Sequence, residues 1–349
     1  MNVGDATRFF SFFFWALFTY SSHFFAKQFF SVSDASTRVE QVVFLTTLQV
    51  GCGAILFLLL RIRGRGGGPP LDYKLILLGA CHSYGMLMTN SSMSQTTASL
   101  THLIKMSEPF YTTIIMAVMG KINFNFKILL IMIIILVTAA GSEPITEASS
   151  SMVGIGFALA SNLFYALRNI GTKYFYPEDS SKSATTLDGF ASISVGGLIS
   201  LIPAWVVSYI FGFDKFIDIT DIDESNLNYI IFISATSHAL YNIISLTIIL
   251  AYFNPVQHAM LNVGKRTSIV LVFYIFSQRP FTVFNLISAV ICLTVSVVGV
   301  QTLAAKKQSS TGEKSEDLSW KHLAFGVAIL IISLSSLSWL VSNTNTGKI

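Results

Sequence analysis

The sequence predicts an all-α membrane protein of ten spans, built as two inverted halves of five, followed by an eleventh C-terminal transmembrane helix. Three observations carry that expectation. Of the 349 residues 52% are hydrophobic and only 11% charged, against about 25% charged in soluble domains, and the mean hydropathy is +0.64. Apolar runs of about 20 residues, enough to cross the hydrocarbon core, recur along the whole chain. These runs are continuous in Ile, Leu, Val and Phe, which excludes the polar alternation of a transmembrane β-barrel.

After a short tail at 1–7, the apolar runs place spans at about 8–31, 38–61, 73–95, 97–119 and 124–141, the first half (8–141). A second set at 151–176, 184–213, 225–252, 255–278 and 282–304 forms the second half (151–304). The first span holds Lys27 towards its end and reads as a retained signal-anchor, not a cleaved leader. A polar linker at 305–321, rich in Lys, Ser and Glu, is expected to lack fixed structure. The extra span lies at 322–341. Basic loops, "RIRGRGGGPPLDYK", "GKINFNFK" and "AAKKQ", alternate with the acidic "GSEPITEASSS" and "FDKFIDITDIDES". The bias of Lys and Arg puts the N-terminus and the end of span ten in the cytosol. Five spans per half invert the second half relative to the first, the repeat logic of secondary carriers.

Ionisable residues inside spans are costly, roughly 2.5–3.5 kcal/mol each at the bilayer centre on insertion scales, so they mark sites. Span four carries Lys105 and Glu108, span six Arg168 and Lys173, and span nine the pair Lys265 and Arg266. Spans four and nine correspond in the two halves, and three cations on them make an anion site. A phosphate dianion accepts paired hydrogen bonds from Arg and point-charge contacts from Lys. The competing reading for Lys105 is simple neutralisation by Glu108 at i+3. Lys265 and Arg266 have no acid in their own span. Arg168, Asn169 and Lys173 read as residues that snorkel to the interface or satisfy carbonyls, in preference to the alternative of substrate contact. Tyr241 is either a hydroxyl donor to the anion or a packing tyrosine, and Thr89 either a donor or bonded within its own helix. Asn90 fits a glycosylation pattern but lies inside a span.

Cys52, Cys81 and Cys292 have no CxxC spacing and read as small core hydrophobes. The six histidines, His23, His82, His102, His238, His258 and His322, have no metal-ligand spacing and read as packing residues. No catalytic motif, P-loop or dinucleotide fingerprint occurs, and "GRGGGPP" lacks the strand and helix that a phosphate cradle needs. No cofactor, metal or nucleic-acid partner is expected.

At "THLIKMSEPFY" and "NPVQHAMLNVGKRTSIVLVFYIFSQRPFT" the chain resembles the plastidic phosphate translocators, triose-phosphate/phosphate exchangers of the drug/metabolite transporter superfamily. The fourth-helix pattern of that family is matched by Thr101, His102, Lys105, Glu108 and Pro109. Its ninth-helix pattern is matched by Pro255, His258, Asn262, Lys265 and Arg266, with a closing Pro280. "ASNLFYALRNIGTKYF" and "SHALYN" resemble its sixth and eighth helices, so the likeness runs from residue 8 to about 304. The Lys-Arg pair is the specific part, because the nucleotide-sugar branch tends to carry Lys-Thr there. The chain departs from the family at Leu261, where the family has Gly, in lacking a visible transit peptide, and in the eleventh span.

The resemblance implies a ten-helix drug/metabolite-transporter fold with a central phosphate site on Thr89, Lys105, Tyr241, Lys265 and Arg266. It implies a strict antiporter exchanging inorganic phosphate for triose phosphate, 3-phosphoglycerate or phosphoenolpyruvate in a plastid-type membrane. A secondary plastid such as an apicoplast, reached by the secretory route, would reconcile a signal-anchor with this family. The partners are then the phosphorylated small molecule, phosphate and membrane lipid. The main alternative is a nucleotide-sugar exchanger of the Golgi or endoplasmic reticulum. A membrane enzyme would need a nucleophile–base or metal constellation, and a proton-coupled efflux carrier would need carboxylates in the spans.

Overall fold

The computed structural model describes residues 3–32, 38–62, 72–122, 126–141, 151–175, 186–210, 224–276 and 282–311. The expected eleventh span, most of the polar linker and the acidic loops lie largely outside these residues. The described residues are helical, with no strand among them. The first three helices are α1 (Val3–Val32), α2 (Arg38–Ile62) and α3 (Tyr73–Gln95). The span expected at 97–119 is two helices, α4 (Ala98–Lys105) and α5 (Glu108–Val118). Then come α6 (Phe126–Gly141), α7 (Met152–Phe175), α8 (Leu187–Ile210) and α9 (Glu224–Ile243). A π-helical segment (Ile244–Ile249) joins α9 to the single turn α10 (Leu250–Tyr252), before α11 (Pro255–Phe276) and α12 (Val283–Thr311). The last helix runs through Thr311, so the start of the expected linker is ordered helix.

Local chemistry sets these boundaries. Asp72 caps α3 by accepting the Leu75 N–H at 2.9 Å, and Thr97 caps α4 through Leu100. At the start of α11 the Asn254 side chain accepts the Gln257 N–H while the Gln257 side chain accepts the Asn254 N–H. That reciprocal pair satisfies two orphan donors, and Pro255 fits the first helical turn without needing one. The interruption between α4 and α5 also traces to a proline. The Lys105 carbonyl would bond the N–H of residue 109, but that residue is Pro109, which has none.

Four described helical stretches are long and apolar enough to cross a membrane: Val39–Leu60, Leu187–Tyr209, Asn226–Tyr252 and Val283–Leu303. Their outward faces show Leu58, Ile202, Phe232 and Val290, while the molecule's interior holds many polar side chains. Asn90 is wholly buried and donates to Thr46 and Gln49, so its sequon is closed to modification in this fold. Helix α3 packs on α7 and α8, α1 on α9, α2 on α8 and α9, α6 on α12, and α11 on α4, α5 and α12. The α3–α8 approach needs glycine, because a Cβ on Gly79 would collide with the backbone of Gly196 and Gly197. Such small-residue contacts are how helices approach closely in lipid.

Candidate functional site: a cationic cavity between α1, α4, α7 and α11

The unpartnered Lys105 carbonyl at the α4–α5 break is taken by the Arg266 guanidinium of α11. Glu108, the first residue of α5, sits at a helix N-terminus, where a carboxylate is favoured. Its Oε2 accepts from Arg266 Nη2 at 2.7 Å and from Asn262 Nδ2 at 2.8 Å, while Oε1 accepts from Asn169 Nδ2 at 3.2 Å. Arg266, with no acid in its own span, therefore pairs with one from another. Its acid comes from the other half of the chain, which span-by-span reading cannot see. Neutralisation of Lys105 by Glu108 is not observed, since the ion pair is Glu108–Arg266.

Lys105 points from the end of α4 into the same space. Its ammonium donates to the Thr89 hydroxyl and to Ser161 Oγ at 3.0 Å, and lies 4.4 Å from the Tyr165 ring centroid. Lys265 projects from α11 with its ammonium 3.9 Å from the Trp15 ring centroid and 5.6 Å from that of Tyr241. Such contacts attract a cation to the negative face of the ring without neutralising it.

These side chains converge on a small cavity of about 30 Å³ between the helices. Lys105, Tyr241, Lys265 and Arg266 all line it. Thr89 does not; it stands behind Lys105, accepting from it and donating to the Gly85 carbonyl. Four of the five residues expected at the site thus meet on one cavity, and the fifth orients one of them.

Arg168 also lines the cavity and is only 3% exposed, which corrects the expectation that it snorkels. Because α7 runs on to Phe175, Arg168 lies about two turns inside the helix. Its guanidinium bonds to the Asn169 and Asn242 side-chain oxygens and to His82 Nδ1, all at 2.8–3.1 Å, and lies 4.7 Å from the Tyr165 ring. None of these partners is a carboxylate. Lys173 behaves as expected, donating to the carbonyls of Leu250 and Ala251.

Trp15, Thr19 and His23 of α1 were not anticipated as lining residues, and nothing in an apolar first span singles them out. His23, His82, His102, His238 and His258 are all buried around this region. No group of three or more metal-capable side chains occurs among the described residues. The three cysteines are free.

Four cations thus line one cavity of this helical protein, and one carboxylate, Glu108, pairs with Arg266 among them. The chain belongs to the Triose-phosphate Transporter family, which it matches over residues 7–302; members of that family are transporters and not enzymes. It is 26% identical over 270 residues to the phosphoenolpyruvate/phosphate translocator 2, chloroplastic, of Arabidopsis thaliana, covering 71% of this chain and 66% of that one. It is 28% identical over 250 residues to the phosphoenolpyruvate/phosphate translocator 1, chloroplastic, of Oryza sativa subsp. japonica (69% and 60% covered). It is also 28% identical over 214 residues to a triose phosphate/phosphate translocator of non-green plastids from Brassica oleracea var. botrytis (60% and 52% covered). The chain thus spans less than two thirds of the length of these relatives. A solved crystal structure shares the fold at a TM-score of 0.55 and 12% identity, over 86% of this chain and 98% of its own.

Proposed function

We propose that the protein is an antiporter exchanging inorganic phosphate for phosphorylated three-carbon compounds by alternating access. The observation that carries this reading is the convergence of Lys105, Lys265, Arg266 and Arg168 on one cavity. A phosphate accepts charge-assisted hydrogen bonds from such donors at about 2.7–2.9 Å. In the bound state Lys105, Lys265 and Arg266 hold the phosphoryl group, Tyr241 donates its hydroxyl, and Thr89 orients Lys105. Arg168 supplies a further positive charge, so the cavity suits phosphorylated acids as well as sugar phosphates. The relatives are named for both kinds: phosphoenolpyruvate, triose phosphate, glucose 6-phosphate and xylulose 5-phosphate.

The proposed architecture is two inverted five-helix repeats, α1–α6 and α7–α12, with α4 and α5 counted as one span and α9 and α10 as another. The packing supports it: α1 lies on α9 and α3 on α7, so the first helix of each half meets the third of the other. The second helices, α2 and α8, meet each other, and so do the last, α6 and α12. Substrate binds at the interface of the halves, as carriers built on inverted repeats require. The proposed location is a plastid-type membrane, with the N-terminus in the cytosol.

Uptake into proteoliposomes tests the reading. Labelled phosphate should enter vesicles preloaded with phosphate, 3-phosphoglycerate or phosphoenolpyruvate, and not vesicles preloaded with a nucleoside monophosphate. The reverse preference would make the protein a nucleotide-sugar exchanger.

A further inference from the structure

Two lysines outside the cavity occupy matching places in the two halves. Lys27, in the last part of α1, donates to the carbonyls of Met93 and Thr96, both at 2.8 Å. Lys173, near the end of α7, donates to the carbonyls of Leu250 and Ala251 at 3.1 and 2.9 Å. In each case the acceptors close a helix that breaks sharply and hands the chain to the next one. Thr96 and Phe253 are both extended, with φ/ψ of −132°/179° and −110°/151°, and Thr97 and Asn254 cap the helices that follow. Those following helices, α4 and α11, carry Lys105 and the Lys265–Arg266 pair.

The carbonyls that the lysines take lack helical partners for reasons written in the sequence. The last carbonyls of any helix have no N–H four residues on. Ala251 has a further reason, since residue 255 is Pro255. The Asn254 N–H, which could have served Leu250, is spent on Gln257. A lysine at a helix C-terminus is a familiar cap, but these two come from a different helix. Each ties the first helix of its half to the turn between the third and fourth helical spans.

From this arrangement we infer that Lys27 and Lys173 are a pair of latches, one near each membrane face, that hold the α3–α4 and α10–α11 turns against the closed cavity. The inference rests on the alternating-access reading above. In inverted halves the end of α1 and the end of α7 lie at opposite faces, so the latches guard opposite entrances. Both are made in this structure, and the cavity cations are at most 5% exposed. Opening towards one face releases one latch and keeps the other. Lys27 and Lys173 touch no substrate; they position the helices whose cations do.

The test reads cavity accessibility from each side. A reporter cysteine replaces Ser245, which lines the cavity, in a background with Cys52, Cys81 and Cys292 changed to Ser. An impermeant thiol reagent is applied to either face of oriented proteoliposomes. Lys27→Met should speed labelling from the face where α1 ends and slow it from the other. Lys173→Met should do the reverse, each shifting the ratio of the two rates by about 10-fold or more, the scale of a lost charged hydrogen bond. Lys27→Arg and Lys173→Arg keep a donor and should return the ratio to near the unmodified value. A cap with no gating role would give no opposed shifts, so ratios that move together, or by less than about twofold, overturn the latch. Hydrogen exchange of the otherwise unmutated chain checks the idea without relying on the variants. Saturating phosphate should slow exchange at 93–97 and at 250–254 together, and, where the protein exchanges phosphate, protection at neither turn overturns the latch as well. The exchange assay of the preceding section separates the two failures. Loss of the latch with phosphate exchange intact refutes this inference alone, whereas absent phosphate exchange with opposed labelling shifts refutes the substrate reading alone.

Discussion

Lys265→Gln and Arg266→Gln, made separately, should both cripple phosphate exchange but differ sharply in stability. The Lys265 ammonium rests on the Trp15 ring and pairs with no carboxylate among the described residues. Replacing it loses a cation–π contact of about 0.5–2 kcal/mol and leaves no buried charge unpaired. What it costs in the bound state is a charged hydrogen bond to the anion, about 1.5–3 kcal/mol, or about 10- to 150-fold in affinity. Arg266 instead holds Glu108 at 2.7 Å, with side-chain exposures of 6 and 0%. Removing one member of such a buried pair costs about 3–5 kcal/mol, because the other charge is stranded. Arg266→Gln should therefore unfold well below the Lys265→Gln protein in detergent, even where transport loss is similar. Adding Glu108→Gln to Arg266→Gln removes the stranded charge and should recover much of the stability without recovering exchange. The measurements are thermal unfolding of the four proteins and counterflow of labelled phosphate in proteoliposomes. Equal destabilisation by the two single substitutions would refute the pairing argument. Retention of more than about half the exchange rate by both would refute the clamp.

Arg168→Gln should depress exchange of phosphoenolpyruvate and 3-phosphoglycerate more than phosphate homo-exchange, read as the ratio of the two rates; an unchanged ratio would assign Arg168 to packing alone. Exchange should be obligatory, because an empty closed cavity leaves Lys105, Lys265 and Arg168 without an anion. Vesicles loaded with phosphate should take up labelled phosphate far faster than vesicles loaded with an impermeant sulfonate at equal ionic strength, and equal initial rates would remove that electrostatic barrier. On topology, cysteines placed singly at Ser309 and Thr346 should label from opposite faces, since the expected span at 322–341 lies between them. Labelling of both from one face would mean that this segment does not cross.

Much of this organisation is legible in the sequence because lipid is an exacting solvent. Long apolar runs have one use, and every described helix falls inside an expected span or extends one. The interruption at Pro109 was visible as a proline within a span, yet its consequence was not. Knowing that the Lys105 carbonyl is freed does not say that Arg266, 161 positions later, fills it. The competing pairing of Glu108 with Lys105 fails because i+3 proximity favours contact only while the helix continues, and here it stops between them. Arg168 looked peripheral because it lies late in its span; that it faces a cavity two turns from the helix end depends on which helices pack there, and spacing within one span does not show that. Trp15 and the histidines carry no local signal, because their role comes from which helices face each other.

The Glu108–Arg266 pair joins the chemistry of the site to its mechanics. It bridges α11 and the start of α5, at the break between α4 and α5. Asn262 and Asn169, both from the second half, hold the same carboxylate, so Glu108 is gripped by α7 and α11 at once. In the proposed rocking of one half against the other, a rigid continuous helix at this point would have to slide past α11 and shear these bonds. A break lets α5 stay with its partners while α4 pivots about its own end, where Arg266 holds the Lys105 carbonyl. In the proposed mechanism the anion adds a second tie at that pivot. It bridges the Lys105 ammonium to that of Lys265, so closure around the substrate is driven by the same charges that select it.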